Sequence, residues 1–437
     1  MHGPSGVATE DSSTPASAWI FPVLVLGFCH VQAIASVHVV NILVDPIKAS
    51  LDLSDTQFSL LQGVALGAFA VILGLPAARV ADQRSRRGVI FGGVLLWSAG
   101  SMLSAFSMSF AQLLAARALV GIGEIILFPS ALSMLYDLSP PRRIGTAIGI
   151  FGSGGPVGAA LALIGGGWLM SRADPTGVIA IGPVLAQAWR VAFAACGLMG
   201  LVAALGMILI TEPMRRVAHA HRSVTDALWE SLRRAWPVYL ATSGSFVLLS
   251  MAVFAINAWV PTFLVRVHGF SYESAGQLIG TAAIVCAVLG AWGAGVATDW
   301  LQMKGRRDAA VIATMATATL IVLSIVVAMF VSYAAWTSAF LCVTYFCLGM
   351  PTVLGGTALQ QIFPDHLRAQ LMALHLLLIN VVSLSIGPTS VALLTDRVFG
   401  DPAAVGVSIA AVTAFAGALA ILVLASSRRA FVSARRD

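Results

Sequence analysis

Long apolar runs separated by short polar turns make up most of the chain. Twelve runs have about 20 residues or more, the length that an α-helix needs to cross the hydrocarbon core of a bilayer. They form two groups of six, at about 19–43, 57–80, 88–107, 109–132, 144–170 and 187–210, and at about 238–264, 275–298, 309–331, 337–358, 369–394 and 404–425. The pattern predicts an all-α integral membrane protein whose twelve transmembrane helices form two pseudo-symmetric bundles, at 19–210 and 237–425.

The amino-acid composition indicates the same fold class. Of the 437 residues, 58% are hydrophobic and 10% are charged, and the mean hydropathy is +0.91. Soluble domains carry about 25% charged residues, so an ordinary soluble enzyme is excluded. The five cysteines lie inside apolar runs at irregular spacing, which indicates neither a disulfide framework nor a metal site.

Three segments lie outside the predicted bundles. Residues 1–18 contain no Lys or Arg and so lack the basic region of a secretory signal; we expect a disordered cytoplasmic tail. Residues 211–236 form a cytoplasmic central loop, and the apolar spacing within 224–236 predicts an amphipathic helix on the membrane surface. Residues 426–437 form a basic cytoplasmic tail.

The distribution of positive charge predicts the orientation of the chain, because Lys and Arg are enriched in cytoplasmic loops. With a cytoplasmic N-terminus, the inside segments hold 19 of the 25 Lys and Arg residues, the outside segments hold five, and Arg117 lies within a span. We therefore expect both termini in the cytosol and the protein in the cytoplasmic (inner) membrane. The placement of these charges matters more than the net charge of +6, which indicates no nucleic-acid partner.

An internal repeat relates the two halves. They align without gaps at an offset of 217 residues, and three features then coincide within thirty residues. The features are a serine before the second helix of each half, a glycine inside that helix and an aspartate at its cytoplasmic end, at Ser54 and Ser271, Gly63 and Gly280, and Asp82 and Asp299. Duplicated six-helix units are typical of secondary transporters, which bind substrate between the halves.

The loop after the second span carries a recognisable motif. Residues 78–87 read Ala-Arg-Val-Ala-Asp-Gln-Arg-Ser-Arg-Arg. This resembles the major facilitator superfamily signature Gly-x-x-x-Asp-Arg-x-Gly-Arg-Arg, from which it departs at Ala78, Gln83 and Ser85. The second half has a matching copy with a longer loop. The resemblance implies a cytoplasmic gate that holds the outward-open state through these aspartates and arginines: Asp82, Arg84, Arg86, Arg87, Asp299, Arg306 and Arg307.

Two further motifs of the superfamily lie inside spans. Arg117-x-x-x-Gly121-x-Gly resembles the fourth-helix motif, and Gly155-Pro156 with Gly158 resembles the fifth-helix motif. A proline inside a helix removes one backbone hydrogen bond and kinks the helix. A hinge and simple packing are both consistent with the second motif.

Five further stretches are informative: Asn41–Lys48, Leu53–Gln57, Gly121–Glu124, Pro140–Arg143 and Trp259–Leu264. Together they resemble the spinster branch of the superfamily. Its members are similar to carriers of lysolipids and sphingoid lipids and are usually taken to be proton-coupled. The branch has an Asp-Arg pair in its first helix, which Ser36 and Val37 replace here, so coupling through that aspartate does not carry over.

Apart from residues at span ends, Arg117 and Glu124 are the two charged residues within the predicted spans. A charge at the bilayer centre costs at least about 2.5–3.5 kcal/mol, which makes both residues functional candidates. Their spacing of seven residues puts them on one helix face but about 10.5 Å apart along the axis, too far for a tight ion pair. We expect Glu124 to couple transport to protons and Arg117 to contact substrate. Alternatively, Arg117 ties helices or loops together and Glu124 pairs with it loosely.

The first span has a polar stripe. His30, His38, Asn41 and Asp45 fall within an 80° arc if the helix is regular. Such a stripe is expected to face the protein interior rather than lipid. Because histidine titrates near pH 6.5, we expect His38 to take over part of the missing aspartate's role; a neutral histidine bonded to a neighbouring helix explains it equally well.

The spans of the second half contain fewer polar residues and no buried carboxylate. The candidates for substrate contact are Asn257, Tyr345, His375 and Asn380. Hydrogen bonds between helices would explain the same residues.

These observations favour a secondary active transporter of a small organic or amphiphilic, lipid-like solute, working by alternating access. No His-Glu-x-x-His, Gly-x-Ser-x-Gly or phosphate-binding loop occurs, so an enzyme or an ATP-driven pump is disfavoured. An organic-anion symporter, a uniporter, a channel and a non-transporting receptor stay open. We expect a monomer that contacts substrate, protons and membrane lipids and uses no cofactor, metal or ATP.

Overall fold

The fold was analysed in a computed structural model, which describes residues 19–67, 85–213, 224–362 and 365–434. Eleven helical segments within these ranges are long and apolar enough to cross a membrane. The remaining predicted span, at 57–80, extends into residues 68–84, which lie outside the described ranges. The predicted helical membrane architecture is confirmed, and the count of twelve stays a prediction.

The helices follow the predicted runs closely. In the first half they are α1 (Ile20–His38), α2 (Val44–Leu51), α3 (Asp55–Gln62), α4 (Arg86–Phe106), α5 (Phe110–Leu138), α6 (Ile144–Ser171) and α7 (Ala188–Ile208). In the second half they are α8 (Val224–Arg266), α9 (Tyr272–Met303), α10 (Ala309–Phe330), α11 (Ala334–Leu348), α12 (Met350–Ile362), α13 (Asp365–Leu378), α14 (Leu384–Leu393) and α15 (Val405–Ala434). Short 3-10 helices lie at Val39–Ile42, Pro141–Arg143 and Pro402–Ala404, and π-helical turns at Ile379–Ser383 and Leu394–Phe399.

The two repeated serines begin equivalent helices. The Ser54 hydroxyl accepts a hydrogen bond from the backbone N–H of Gln57, whose side chain in turn accepts from the Ser54 N–H at 3.0 Å. The Ser271 hydroxyl accepts from the backbone N–H of Ser274 at 3.1 Å. Each serine therefore satisfies an N–H group that the first turn of its helix leaves unpaired.

The structure adds detail that the apolar pattern did not predict. Helix α8 runs without a break through Pro237, so the predicted surface helix at 224–236 is the first part of a longer helix. Its position at the membrane surface stays a prediction. Helix α15 likewise continues to Ala434, into the predicted tail. A short antiparallel hairpin, β1 (Val178–Ile181) and β2 (Val184–Gln187), joins α6 to α7.

Among the described residues, the helices of each half pack mainly against one another, and contacts between the halves include α8 against the 3-10 helix Val39–Ile42. Helix α9 packs along α6, and α14 packs along α3. We call the end of the molecule that holds Arg266 the outer end and the end that holds Arg86 the inner end, following the predicted orientation.

The two halves approach backbone to backbone at the outer end. A Cβ atom added to Gly167 of α6 would lie 2.3 Å from the carbonyl oxygen of Tyr272, and one added to Gly276 of α9 would lie 2.3 Å from that of Leu163. On the opposite side of the interface, a Cβ on Gly63 would lie 2.3 Å from the carbonyl oxygen of Leu384. Small residues permit such close helix crossings in membranes, so this end of the interface is tightly closed.

Candidate functional site

The polar residues predicted to form one stripe on the first span contact different parts of the protein, because the helix is not regular over its whole length. Helix α1 ends at His38 and continues as the 3-10 helix Val39–Ile42, so the predicted angular spacing does not hold beyond that point. His30 faces α6, where its Nδ1 lies 2.8 Å from the carbonyl oxygen of Phe151 and its ring stacks on the Phe151 ring at 4.6 Å. His38 and Asn41 contact each other, and Asp45 binds Arg266.

A polar layer joins the first half to helix α8. The Asn41 side-chain amide donates to the backbone carbonyl of Asn257 and to Nδ1 of His38, both at 3.2 Å. The Gln62 amide donates to Oδ1 of Asn41 at 3.1 Å and to the carbonyl of Ala258 at 3.2 Å. His38, Asn41 and Asn257 were sequence candidates, whereas Gln62 was missed because nothing in its local pattern distinguishes it.

One acceptor in this layer, the backbone carbonyl of Asn257, is available because of a proline. In a regular helix each carbonyl accepts a hydrogen bond from the N–H group four residues further on. For Asn257 that residue is Pro261, which has no N–H to donate. The freed carbonyl of Asn257 accepts from Asn41 instead. The Trp259–Leu264 stretch therefore supplies backbone acceptors to the other half of the protein.

Arg266, the last residue of α8, binds two carboxylates of the first half. Its guanidinium donates to Asp45 at 2.5 and 2.9 Å and to both carboxylate oxygens of Asp55 at 2.8 Å. Lys48 also pairs with Asp55, whose side chain has no solvent exposure. We call Asp45, Lys48, Asp55 and Arg266 the outer ion cluster.

Within the outer ion cluster, the Asp55 carboxylate stays charged at neutral pH. Burial alone would raise the pKa of Asp55, but the hydrogen bonds and positive charges of Arg266 and Lys48 outweigh burial and hold the pKa below its usual range. A second acidic contact lies beside the cluster: Asp396 accepts from the backbone N–H of Thr56 at 2.6 Å and from its hydroxyl at 2.7 Å. Asp396 therefore caps the N-terminus of α3 from the other half of the molecule.

Arg117 is fully buried and bound to backbone. Its guanidinium donates to the carbonyl oxygens of Ser36 at 2.6 Å and Val37 at 2.8 Å, and it lies over the ring of Phe193 at 5.8 Å. These carbonyls are among the last of α1, which lack partners within a helix and favour a positive charge. The arginine thus ties α5 to α1 at the two positions where the spinster branch has its Asp-Arg pair.

Glu124 lies near the middle of α5 and its side chain is half-buried. Among the described residues it makes neither a hydrogen bond nor an ion pair, and Arg117 is engaged elsewhere, as the predicted separation suggests. The two glycines that precede it are used for packing: a Cβ on Gly121 would lie 2.8 Å from Leu66, and one on Gly123 would lie 2.6 Å from the carbonyl oxygen of Gly93. The carboxylate is therefore a partly accessible acid in a tightly packed part of the first half.

The sequence candidates of the second half lie in different surroundings. His375 is 3% exposed, contacts the edge of the Phe246 ring at 5.9 Å, and its Nδ1 has no hydrogen-bond partner within the described ranges. The Tyr345 hydroxyl is likewise buried without such a partner. Asn380 is exposed within the π-helical turn Ile379–Ser383. The structure does not bring these residues together with Glu124 into one hydrogen-bonded network.

The predicted hinge on α6 is a continuous part of that helix. Pro156 lies inside the helix, and Gly155 is in ordinary contact with His30. A Cβ on Gly158 would lie 2.3 Å from the carbonyl oxygen of Val31. This contact accounts for the glycine by close packing on α1, and a hinge role stays a prediction.

At the inner end, Arg86 and Arg87 belong to a network within the first half. Arg86 is 3% exposed and pairs with Asp137 at 2.5 Å and Glu212 at 3.2 Å. The Glu212 carboxylate also accepts from the backbone N–H groups of Arg86 and Arg87, at 3.1 and 2.7 Å, and from the Ser85 hydroxyl at 2.8 Å. It therefore caps the N-terminus of α4, where a negative charge is favoured.

The same network has consequences for protonation and packing. Partial burial would raise the pKa of Glu212, but hydrogen bonds from the Arg87 N–H and the Ser85 hydroxyl outweigh it and hold the pKa below its usual value. The Arg87 guanidinium donates to the carbonyls of Met207 and Ile208 at the end of α7. Asp137 and Glu212 were missed from the sequence because they are distant from the motif along the chain.

The second half has a related cluster, in which one acid pairs with two arginines instead of one arginine with two acids. Asp308, which precedes α10, accepts from Arg306 at 3.1 Å and from Arg428 of α15. Asp299 is exposed and makes no ion pair with any residue in the described part of the chain. Asp82 and Arg84 lie outside the described residues, so the predicted gate formed by these clusters stays a prediction.

Comparison with known proteins identifies the family. The model of the Major Facilitator Superfamily matches residues 26–388, so the chain belongs to that superfamily. The predicted superfamily is confirmed, and the chain is a multi-pass membrane protein of a transporter family.

Among related proteins, an MFS-type efflux pump of Mycolicibacterium smegmatis is 27% identical over 373 residues, which cover 83% of this chain and 81% of that protein. Protein spinster of Drosophila melanogaster is 27% identical over 263 residues, 59% of this chain but only 41% of that protein. A probable L-galactonate transporter of Escherichia coli is 25% identical over 283 residues, 59% of this chain and 57% of that protein. The chain thus matches 57% of the length of the probable L-galactonate transporter and less than half of the length of the spinster protein.

Among solved structures, the chain is similar to a bacterial homolog of the human lysosomal transporter spinster in an inward-facing, unoccupied conformation. The TM-score is 0.82 and the identity 21%, over 98% of this chain and 100% of that one. A D-xylose–proton symporter gives a TM-score of 0.69 at 16% identity, over 92% and 97% of the two chains. The predicted likeness to spinster proteins is therefore confirmed, and these structural matches establish the fold.

Proposed function

We propose that the protein is a proton-coupled secondary transporter that moves an amphiphilic or small organic solute across the cytoplasmic membrane by alternating access. The hydrogen bonds and ion pairs between halves, among the described residues, all lie towards the outer end, as do the close glycine contacts. This arrangement supports an inward-facing state with the outer side closed. The protein would act as a monomer with both termini in the cytosol.

The single observation that carries the proposal is the environment of Glu124. It is a half-buried carboxylate in mid-span, and within the described ranges it has no partner that would hold it in one charge state. A proton-coupling group needs to gain and lose a proton as access changes, which a firmly paired acid such as Asp55 does not do. His38, which contacts Asn41, would respond to the same change because the polar layer spans both halves.

The position of Arg117 bears on the substrate class. Because two donors of its guanidinium are bound to the carbonyls of Ser36 and Val37, the arginine is not free to clamp a carboxylate in this state. An organic-anion symporter, which the probable L-galactonate relative favours, would need another cation or a rearrangement of Arg117. A lipid-like amphiphile needs no such partner, so we place it first. Asn257, His375 and Asn380 are the proposed contacts of the second half.

The proposal is tested with purified protein in liposomes. A thermal-shift screen against lysophosphatidylcholine, sphingosine and D-glucuronate selects the substrate. Labelled uptake and counterflow are then measured across about pH 5.5–8, a range that includes the ordinary pKa of histidine. We expect Glu124→Gln to abolish accumulation driven by a pH gradient while keeping exchange, because the neutral amide mimics the protonated acid in every state. The exposed Asp174→Asn is the matched control.

Two outcomes would contradict the proposal. Full gradient-driven uptake by Glu124→Gln would place coupling elsewhere or indicate a uniporter. Absence of counterflow for every bound compound would favour a receptor or channel, since only a carrier exchanges labelled substrate against unlabelled substrate.

The proposed orientation has a separate test. Single cysteines placed at residues 175 and 222 should react oppositely with a membrane-impermeant reagent added to intact cells, with residue 175 labelled and residue 222 protected. Labelling of residue 222 from outside would overturn the orientation.

A further inference from the structure

A groove of about 420 Å³ runs between α9 and α11, starting at the outer end of the molecule. Its volume is in the range of small-molecule sites, about 300–1,000 Å³. The groove is separate from the interface between the halves, which α9 forms with Gly276 on another face. The side chains that matter here are Ser274, Gln277, Thr281, Val285 and Cys286 of α9 and Cys342 of α11.

The groove faces away from the body of the protein. Ala275 and Ile279, on the other side of α9, are fully buried, whereas Gln277, Thr281 and Val285 are exposed. In a membrane-spanning helix an exposed face of this kind meets lipid. The groove is therefore open to the bilayer, and its natural occupant is a membrane lipid.

The depth and polarity of the groove match a lipid held upright. Cys286 follows Ser274 by twelve positions, which is about 18 Å along the helix. Half of a bilayer consists of a headgroup layer of about 5–7 Å and about 15 Å of hydrocarbon. Ser274 and Gln277 thus lie at headgroup depth, Thr281 about 10.5 Å below Ser274 in the uppermost hydrocarbon, and Val285 deeper, so the lining changes from polar to apolar in the same direction as a lipid.

Thr281 supplies the independent sign of a polar ligand group. Thr298 on the same helix donates to the carbonyl of Ala294 at 2.7 Å, as membrane threonines usually do. The Thr281 hydroxyl makes no hydrogen bond with any residue in the described ranges, although it lies where water is scarce. An unpaired donor in such a place is costly, and an ester carbonyl of a glycerolipid would satisfy it.

The charge at the mouth of the groove indicates the headgroup. Glu273 accepts a hydrogen bond from the Gln277 amide at 3.3 Å, so a carboxylate stands beside the outer end. We propose that the groove binds one outer-leaflet phosphatidylethanolamine, with an ester carbonyl on Thr281, an acyl chain along Val285 and Cys342, and the ammonium group near Glu273. Phosphatidylglycerol, whose headgroup is anionic, binds less well.

The test uses the full-length protein in nanodiscs that contain phosphatidylethanolamine with a photoreactive diazirine at the top of one acyl chain. Cross-linked peptides are mapped by mass spectrometry, and labelling is expected in α9 and α11. Thr281→Val removes the hydroxyl but keeps the shape, and should lower labelling about two- to tenfold, the effect of one hydrogen bond. Thr281→Ser should restore it.

Two further variants separate a defined site from ordinary lipid contact. Cys342→Trp fills the groove and should remove labelling, whereas Leu323→Trp, an equally lipid-facing change on α10, should not. Glu273→Gln should reduce the preference for phosphatidylethanolamine over unlabelled phosphatidylglycerol as competitor. Labelling that spreads evenly over exposed helices, or that Thr281→Val and Cys342→Trp leave unchanged in folded protein, would overturn the proposal.

Discussion

Replacing Arg266 should open the outer side of the protein. Arg266 is the last residue of α8, and its guanidinium makes the bonds between the halves in the outer ion cluster, to Asp45 and Asp55. In Arg266→Gln these bonds are lost, and Asp55 keeps Lys48 as its partner. Since the contacts exist only when the outer ends are together, their loss destabilises that state alone.

The size of the effect follows from burial. Removing one partner of a buried ion pair costs about 3–5 kcal/mol. Here the cost is smaller, because Lys48 still neutralises Asp55 and the Asp45 side chain is 32% exposed to water that can replace the arginine. A difference of about 2–3 kcal/mol between states corresponds to a shift of about 30- to 140-fold towards outward-open protein.

The shift can be measured as a distance. Spin labels on cysteines introduced at Thr176 and Ala403, both exposed at the outer end, report the separation of the halves in protein whose native cysteines are replaced. Arg266→Gln should add a population at longer distance. Arg190→Gln is the matched control, because that outer arginine bonds to Ala105 and Gln187 of its own half. An unchanged distance distribution in Arg266→Gln would refute the role of the outer ion cluster.

Three further outcomes follow from the structure. In protein with an unmodified outer ion cluster, the distance distribution should not change between about pH 5.5 and 8. The pKa of folded Asp55 is held below the usual value of about 3.9, so the stabilisation by Asp55 is fully present above about pH 3.9 and is lost only as the pH falls through the lowered pKa. A pH-dependent change that persists in Glu124→Gln would contradict this. Gly167→Ala should favour the outward-open state by about 1–3 kcal/mol, because the added Cβ would lie 2.3 Å from a carbonyl oxygen of α9. The control Gly165→Ala should have no such effect, since nothing lies within 4 Å of its Cβ. Equal spin-label distance distributions in the two variants would show that the helix crossing relaxes freely. Glu212→Gln should lower the free energy of unfolding by about 2–3 kcal/mol at neutral pH, measured as a lower melting temperature than that of the control Asp299→Asn, which changes an exposed acid. The difference should vanish well below about pH 4, where Glu212 itself is protonated. Equal melting temperatures of the two variants at about pH 7 would refute the capping role.

The helices were predictable because a membrane imposes one simple requirement on sequence. The run at 88–107 became Arg86–Phe106 and the run at 309–331 became Ala309–Phe330, since a span must be apolar over its length and polar at its ends. The hairpin between α6 and α7 was missed because it lies outside the bilayer, where that requirement does not apply.

The candidate site was only partly predictable. Glu124 and Arg117 stand out because charge within a span is rare. The partners of Arg117 could not be predicted, since they are backbone carbonyls made available by the end of α1. The outer ion cluster was not predicted: Lys48 and Arg266 were counted only as outside charge, and Asp45 was assigned only to the polar stripe of the first span. Their association could not be seen because Arg266 is more than 200 positions from Asp45 and Asp55 along the chain.

The polar layer at Pro261 has a consequence for how this protein can vary through evolution. Its acceptors, the carbonyls of Asn257 and Ala258, are backbone atoms that no side-chain replacement removes. Drift at positions 257 and 258 is therefore tolerated by this contact as long as the helix keeps its course. Selection acts instead on the donors Asn41 and Gln62 and on the proline, whose replacement would return the Asn257 carbonyl to its own helix. Natural variation in closely related chains should therefore be concentrated at positions 257 and 258. It should be sparse at Asn41, Gln62 and Pro261.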